Sequence, residues 1–143
     1  MGKPDASKKS DNRYVAYWEK QPGYVYFNTA GAPPTAIKIG ISTADTMRKR
    51  LRQHQSSNHE PLNVLGLIAF SEMEKPMAAA NTLEVELHQR FNLARRFSSG
   101  PGNEWFNPTN ELLEFINSNA KPPEDFGLER SVAKIGPGLE GEI

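Results

Sequence analysis

Two short runs rich in hydrophobic side chains lie in the first third of the chain, with a turn-forming segment between them. The runs are residues 23–28 (GYVYFN) and residues 36–42 (AIKIGIS). Both are rich in β-branched and aromatic residues, which favours strands. The segment between them, TAGAPP, predicts a turn, so the two strands are expected to form a hairpin.

Three later segments have the apolar spacing of helices, and they cover residues 43–55, 75–97 and 108–119. Thr43 or Asp45 is the candidate N-cap of the first of these helices. Pro76 lies near the start of the second, where proline is tolerated. Pro108 or Thr109 opens the third.

The order of the elements predicts an α+β fold. Residues 62–70 (LNVLGLIAF) are nearly all apolar and read as a third strand that is covered on both faces. Residues 98–106 form a glycine-rich loop that leads to a Trp-Phe pair. The order β-β-α-β-α-loop-α predicts a small, three-stranded, mostly antiparallel sheet flanked by helices.

The two ends of the chain differ in composition from the middle. Residues 1–20 are predicted to be a polar N-terminal arm, in which residues 13–18 (RYVAYW) form a short strand or an ordered lead-in. Residues 21–119 are the expected folded domain. Residues 120–143 contain Pro, Gly and charge with little apolar periodicity, so a flexible C-terminal tail is expected.

A lysine stands in the middle of the second predicted strand, where an unpaired charge is costly to bury. Strand side chains alternate between the two faces of a sheet. One face therefore carries an apolar row, namely Val25, Phe27, Ile37, Ile39 and Ile41. The other face carries Tyr26 and Lys38, and Gly40 leaves room beside them.

One arginine of the first predicted helix falls within its apolar stripe. Met47, Leu51 and His54 form this stripe, and Arg50 is three residues from Met47 and four from His54. Arg48, Lys49 and Arg52 are expected to point towards solvent. Because an arginine is rarely buried without a partner, Arg50 is the candidate for a functional or paired role.

The second predicted helix carries a carboxylate at the edge of its apolar stripe. The stripe consists of Ala80, Leu83, Leu87 and Phe91. Glu84 lies at the edge of this stripe, whereas Glu86 is four residues before Arg90 and is explained by a surface ion pair. Glu84 is therefore the carboxylate that needs a further explanation.

Charge and composition limit the classes of function. The chain has 143 residues, a formal net charge of zero and no cysteine, which excludes disulfides and thiolate metal sites. Between residues 21 and 56 there are five basic residues and one acidic residue, so positive charge is concentrated there. No segment resembles a membrane span or a signal peptide, so a cytoplasmic location is expected, or a nuclear one in a eukaryote.

The order of these motifs resembles the GIY-YIG nuclease superfamily, in particular a phage-type branch with KIG as its second motif. The matching pieces are GYVYF, IKIG, an arginine followed by leucine, LEVELH and EWF. The resemblance implies that Tyr26 activates the attacking water and that Lys38 stands where a second tyrosine usually stands. It also implies that Arg50 contacts the scissile phosphate and that Glu84 binds the metal.

The resemblance further implies an asparagine that supports the site, for which Asn92, Asn103 and Asn107 are candidates. One inward carboxylate suggests one Mg²⁺ or Mn²⁺ ion, held by Glu84, the phosphate and waters. Lys38 could lower the pKa of Tyr26 or act as the base itself, and both alternatives remain open.

Other side chains are weaker candidates for the same chemistry. The expected phosphate- or DNA-binding residues are Arg48, Lys49, Arg52 and His54, although a solvated face would explain the first three equally well. Tyr24 and His88 are secondary site candidates. For His88, packing and hydrogen bonding at the helix edge is the favoured interpretation over metal ligation.

Two functions are compatible with this pattern. The first is a metal-dependent DNA endonuclease that hydrolyses phosphodiester bonds by attack of an activated water, with DNA as the expected partner and RNA as an alternative. The second is a catalytically inactive module that binds nucleic acid or protein on the same fold. Retention of Tyr26, Arg50 and Glu84 together favours the enzyme.

Overall fold

The computed structural model describes residues 6–31, 33–96 and 104–135, and residues 6–12 are described by their backbone alone. Within these residues the helices are α1 (Ala6–Glu19), α2 (Met47–Ser56), α3 (Pro76–Arg90) and α4 (Asn110–Asn119). The strands are β1 (Gly23–Ala30), β2 (Ala36–Thr43), β3 (Leu62–Phe70) and β4 (Trp105–Phe106). The predicted α+β class with an antiparallel sheet and flanking helices is confirmed.

The sheet has four strands in the order β3-β1-β2-β4, one more than predicted. All three strand pairs are antiparallel, and the predicted β1–β2 hairpin is present. In this hairpin Tyr26 lies opposite Gly40, and Asn28 lies opposite Lys38. The extra strand, β4, contains only two residues, which is too short for an alternating pattern to be recognised.

The two faces of the sheet are covered by different elements. Val25, Phe27, Ile37 and Ile39 are fully buried in one cluster with residues of α3 and α4. On the other face, Tyr26 is buried with Met47 and Leu51 of α2. The predicted division of β1 and β2 into an apolar face and a face that carries Tyr26 is therefore confirmed.

The segment that follows α4 is packed, which contradicts the predicted flexible tail as far as residue 135. Leu128, Val132 and Ile135 are buried against the face that carries Tyr26. The N–H of Leu67 donates to the carbonyl of Lys121 at 2.9 Å, so the segment also covers the outer edge of β3. An edge strand exposes unpaired backbone groups, and hydrogen bonding to them is the physical reason why the segment packs against β3. Residues 136–143 lie outside the described residues.

The N-terminal segment is a helix rather than the polar arm or short strand that the sequence predicted. Aromatic and β-branched residues in 13–18 favour a strand, but this preference is weak and tertiary packing overrides it. Trp18 packs against the α3–α4 cluster, and Lys75 Nζ lies 3.8 Å from a carboxylate oxygen of Glu19. These contacts attach α1 to the start of α3. Residues 1–5 lie outside the described residues.

The helix ends differ slightly from those predicted. A 3-10 turn, Ala44–Thr46, precedes α2, so that neither Thr43 nor Asp45 caps the α-helix. Helix α3 ends at Arg90. The hydroxyl of Thr109 accepts a hydrogen bond from the Leu112 N–H and caps α4, as expected. Among the described residues, no helix combines the length and the apolar character that crossing a membrane requires.

Candidate functional site

The ring of Tyr26 lies over Gly40, its partner across the hairpin. A Cβ atom added at Gly40 would lie 2.5 Å from the Tyr26 hydroxyl oxygen, so the ring occupies the space that a side chain would need. Tyr26 is only 2% exposed, and burial raises the pKa of its phenol. Arg50 acts against this shift and lowers the Tyr26 pKa. The missing side chain at Gly40 thus determines where the phenol lies.

Lys38 has three partners around its ammonium group. Its Nζ lies 3.1 Å from Oε2 of Glu104 and 3.4 Å from Nε2 of His54. The same atom lies 5.9 Å from the ring centroid of Trp105, its neighbour on β4. Only 14% of the Lys38 side chain is exposed, so these contacts replace much of its hydration. The strand lysine is therefore paired with a carboxylate, an imidazole and an aromatic ring.

His54 connects α2 to this group. An ammonium can only donate, so Nε2 of His54 accepts from Lys38 and the neutral ring carries its proton on Nδ1. The rings of His54 and Tyr26 are 5.8 Å apart. Burial, followed by the charges of Lys38 and Arg50, lowers the pKa of His54 from 6.5 to about 4. His54 is therefore a neutral acceptor at neutral pH.

The lowered pKa of His54 predicts a loss of stability in weak acid. Between pH 6.5 and about 4 this histidine is protonated in the unfolded chain but not in the folded protein. The free energy of unfolding therefore decreases as the pH is lowered through this range. The lowered pKa of His88 acts in the same direction. The raised pKa of Glu84 acts in the opposite direction.

The measurement is urea unfolding at pH 7 and pH 5 for the native protein, His54→Gln and His59→Gln. The native protein should lose more stability between these pH values than His54→Gln, in which glutamine retains an acceptor for Lys38. His59→Gln, at an exposed position, should behave like the native protein. Equal losses in the native protein and His54→Gln would contradict the expectation.

Glu84 approaches the same region from α3. Its side chain is 20% exposed, and Oε2 lies 3.9 Å from Nε2 of His88. Burial is the largest cause that raises the pKa of the Glu84 carboxyl; Glu104 raises it further and Lys38 lowers it. Glu84 is thus electrostatically coupled to the Lys38–Glu104 pair, although α3 packs mainly on the opposite face of the sheet.

His88 has a structural contact of its own. Its Nε2 donates to the carbonyl oxygen of Ile39 at 3.1 Å. The ring also packs edge-on against Phe106, with the centroids 5.2 Å apart. Burial lowers the pKa of His88, so its contact with Glu84 joins a carboxylate to a neutral ring. These contacts agree with the packing interpretation of His88.

Arg50 is exposed, which differs from its predicted position in the buried stripe of the first helix. Met47 and Leu51 are the buried residues of α2, and Arg50 lies at the edge of the surface that they cover. Its guanidinium nevertheless lowers the pKa of both Tyr26 and His54. Arg50 is therefore an exposed cation near the rings of Tyr26 and His54.

The remaining basic residues of α2 do not form one surface. Nη2 of Arg48 donates to the carbonyl of Gly127 at 2.7 Å, so Arg48 is half-buried against the C-terminal segment rather than directed to solvent. Arg52 is half-buried, one helical turn further along. Lys49 is exposed and lines the same cavity as Arg50. Of these three, Lys49 is the one grouped with Arg50.

Tyr24 shares the face of Tyr26 but belongs to a different environment. Its ring packs edge-on against Phe126 with a centroid distance of 5.1 Å, and burial raises its pKa. A cavity of about 310 Å³ beside it is lined by Arg48 and Leu128, among others. The structure does not group Tyr24 with Lys38 and Glu104.

Sequence reasoning missed two residues at the site. Glu104 belongs to the EWF motif, and its pairing with Lys38 depends on β4, whose two residues carry no recognisable strand pattern. Asn28 is fully buried opposite Lys38, and neither atom of its amide has a hydrogen-bond partner among the described residues. Strand alternation from Tyr26 to Asn28 was the signal that could have found it.

The three asparagines suggested by the resemblance have different surroundings. Asn92 is exposed at the start of a 3-10 turn. Asn107 is also exposed, and its Oδ1 accepts from Nη1 of Arg96 at 3.1 Å. Asn103 lies outside the described residues.

Two carboxylates are the oxygen donors that a hard divalent cation could use here. Glu84 and Glu104 supply carboxylate oxygens. The charge of Glu104 raises the pKa of Glu84, and a cation beside the two carboxylates would lower that pKa again. Across the described part of the chain, no three His, Cys, Asp or Glu side chains are grouped closely enough to hold a metal ion. An ion here would therefore take its remaining ligands from a substrate phosphate and from water.

The fold and the site together define a small α+β domain in which a tyrosine, a lysine and two carboxylates are electrostatically coupled at one antiparallel sheet. The chain belongs to the T5orf172 domain family, which it matches over residues 23–120. This is a phage-associated domain found in nuclease-like proteins, and it suggests a nuclease-like or nucleic-acid-binding role. No curated protein and no solved structure matches the chain significantly.

Proposed function

We propose that the chain is a metal-dependent DNA endonuclease of the GIY-YIG type that hydrolyses phosphodiester bonds by attack of an activated water. The observation that carries this proposal is a series of contacts at one face of the sheet: the ring of buried Tyr26 lies 5.8 Å from the ring of His54, His54 accepts from Lys38, and Lys38 pairs with Glu104. Arg50 and Glu84 lie near enough to change the pKa of Tyr26. A phosphodiester hydrolase needs a proton acceptor, a positive group for the phosphate and oxygen ligands for a cation.

The positive groups would bind and orient the phosphate. Arg50 is exposed, always charged and offers a planar fork of donors that matches phosphate oxygens. Lys38 is an ammonium that already donates towards a carboxylate and an imidazole. We assign Lys38 the role of a fixed positive charge next to the reacting phosphate, because its donors are already directed at acceptors.

Tyr26 would hold the water and accept its proton. Because burial raises the pKa of Tyr26, its phenol is protonated in the free protein and can first orient a water by hydrogen bonding. Accepting a proton requires that the phenolic proton leaves. Arg50, which lowers the Tyr26 pKa, favours this loss. His54 beside Tyr26 cannot receive that proton, because its Nε2 already accepts from Lys38 and its Nδ1 carries a hydrogen, so the phenolic proton would leave to solvent water.

Glu84 would hold a Mg²⁺ or Mn²⁺ ion, with Glu104 as a second carboxylate within the same electrostatic environment. When bound, such an ion stabilises negative charge on the phosphate and lowers the pKa of bound water. Partial burial raises the pKa of Glu84 and so disfavours its charged form. A bound cation would stabilise that charged form.

A second candidate function is a binding module without catalysis. It is favoured by the Lys38–Glu104 pair, since a carboxylate at 3.1 Å neutralises the lysine that a phosphate would otherwise contact. Such a module would bind nucleic acid equally well with or without a divalent ion.

The test is nicking of supercoiled plasmid in Mg²⁺ or Mn²⁺ by the native protein, Tyr26→Phe and Tyr24→Phe. Tyr26→Phe removes only the hydroxyl and should lower the nicking rate by about 10²-fold, the usual contribution of a positioned acid or base. Tyr24→Phe is the matched control, because it makes the same change on the same strand face outside the site, and its rate should be unchanged.

Two results would contradict the proposal. Absence of metal-dependent cleavage on plasmid, branched and single-stranded DNA would favour the binding module. Equal rates for Tyr26→Phe and Tyr24→Phe would remove Tyr26 from the reaction. EDTA should abolish the activity of the native protein.

A further inference from the structure

Helix α1 presents two exposed tyrosines on one side. Tyr14 is 67% exposed and Tyr17 is 65% exposed, and a spacing of three residues puts them on the same face of the helix. The helix is not a free arm, because Trp18 packs against the core and Glu19 lies 3.8 Å from Lys75. The part of the helix that carries the two aromatic rings is therefore attached to the folded domain.

These tyrosines line a cavity that also contains the candidate phosphate-binding arginine. The cavity has a volume of about 560 Å³, within the range of small-molecule sites, and lies between α1, the end of β2 and α2. Tyr14, Tyr17 and Trp18 line one side, and Lys49, Arg50 and Gln53 line another. The cavity and the candidate active site thus share Arg50.

The charged groups of this cavity favour an anionic ligand. Lys49 and Arg50 are exposed cations. Asp45 is the only acidic residue among the described residues that line the cavity, and its carboxylate accepts a hydrogen bond from the Thr43 hydroxyl at 2.7 Å. Aromatic faces beside basic side chains are the arrangement by which proteins hold unpaired nucleotides.

We infer that this cavity binds an unpaired nucleotide of the substrate strand, with its base stacked on Tyr14 and Tyr17 and its phosphate directed to Lys49 and Arg50. The inference rests on the proposed function, since it places the nucleotide next to the phosphate that Arg50 would contact. Helix α1 precedes the family match at residues 23–120, so the tyrosines belong to this chain and lie outside the region shared with the family. The proposed substrate is therefore DNA with a single-stranded or unpaired stretch beside the cleavage position.

The experiment compares two fluorescently labelled strands of about 12 nucleotides, one with normal bases and one built of abasic residues. The abasic strand keeps the phosphates but offers no base to stack. Binding of both strands is followed by fluorescence anisotropy at one fixed salt concentration, because phosphate contacts are salt-dependent. The proteins are the full chain in its native form and the variants Tyr14→Ala, Tyr17→Ala, Tyr17→Phe and Val15→Ala.

We expect Tyr14→Ala and Tyr17→Ala each to weaken binding of the normal strand by about tenfold and to leave binding of the abasic strand unchanged. Tyr17→Phe keeps the ring and should bind like the native protein. Val15 is exposed on the same helix and does not line the cavity, so Val15→Ala is the matched control. All three positions are on the surface, and urea unfolding verifies that the four variants are folded.

The inference is overturned if the native protein binds both strands equally, binds neither strand, or if the tyrosine variants lose affinity for both to the same extent. These results are separable from the fate of the proposed function. Metal-dependent nicking without base-dependent binding would leave the nuclease in place and remove the stacking site. Base-dependent binding without any nicking would support the stacking site and contradict the nuclease.

Discussion

Glu84→Gln should lower the metal-dependent nicking rate by about 10³-fold or more, because it removes the charge of the proposed metal ligand. The substitution keeps the size and one oxygen of the side chain. The raised pKa of Glu84 also means that its charged form is unfavourable in the free protein, so a neutral amide should not destabilise the fold. The loss should therefore appear in activity and not in stability.

The matched control for this prediction is Glu86→Gln. Glu86 lies two residues further along the same helix and is exposed, so the same change in charge is made outside the site. The measurements are nicking rates in Mg²⁺ and Mn²⁺, urea unfolding, and calorimetric titration with Mn²⁺. Equal nicking by native protein and Glu84→Gln would show that the activity comes from another site or another protein. Unchanged Mn²⁺ affinity would remove Glu84 as a ligand.

Gly40→Ala is expected to damage both activity and stability. The new methyl group would overlap with the Tyr26 hydroxyl, only 2.5 Å away, and the ring is too tightly enclosed to move freely. Overpacking of this kind costs about 1–3 kcal/mol of the free energy of unfolding. Displacement of the phenol by about 1 Å should lower the nicking rate by a further factor of about 10² at temperatures where the protein stays folded.

Gly66→Ala separates the two effects of Gly40→Ala. A Cβ atom at Gly66 would lie 2.8 Å from the Cβ of Ala120, so this variant also overpacks the molecule, but next to Ala120 and away from Tyr26. Urea unfolding should show that both variants are less stable than the native protein. The nicking rate per folded molecule should be strongly lowered in Gly40→Ala only. A Gly40→Ala protein with the native nicking rate would mean that the position of Tyr26 does not matter for the reaction.

The arrangement of Tyr26, Gly40 and Lys38 was predictable because strand periodicity is rigid. A hairpin with a period of two residues leaves only two ways to assign the faces, and the apolar row of Val25, Phe27 and the isoleucines decides between them. The same reasoning would have placed Asn28 beside Lys38. The face of a short helix is less well determined, because a side chain as long as arginine can reach solvent from the edge of a buried stripe.

The contacts of Arg48 and Lys38 could not be predicted, because they depend on segments without a recognisable period. Arg48 is directed to Gly127 by the packed C-terminal segment, which looked like a tail. Glu104 reaches Lys38 only because β4, with its two residues, continues the sheet. In both cases the partner lies more than fifty residues away in sequence, and no local pattern indicates such a contact.

The cover on the outer edge of β3 has a consequence for synthesis of the protein on the ribosome. The backbone of β3 pairs with Lys121 and Arg130, which are made after every strand of the sheet. A nascent chain that has already paired β1 with β3 would therefore expose a largely apolar edge strand until residues 121–130 have left the exit tunnel. During that interval the edge is available to other nascent chains, and the domain cannot complete its folding.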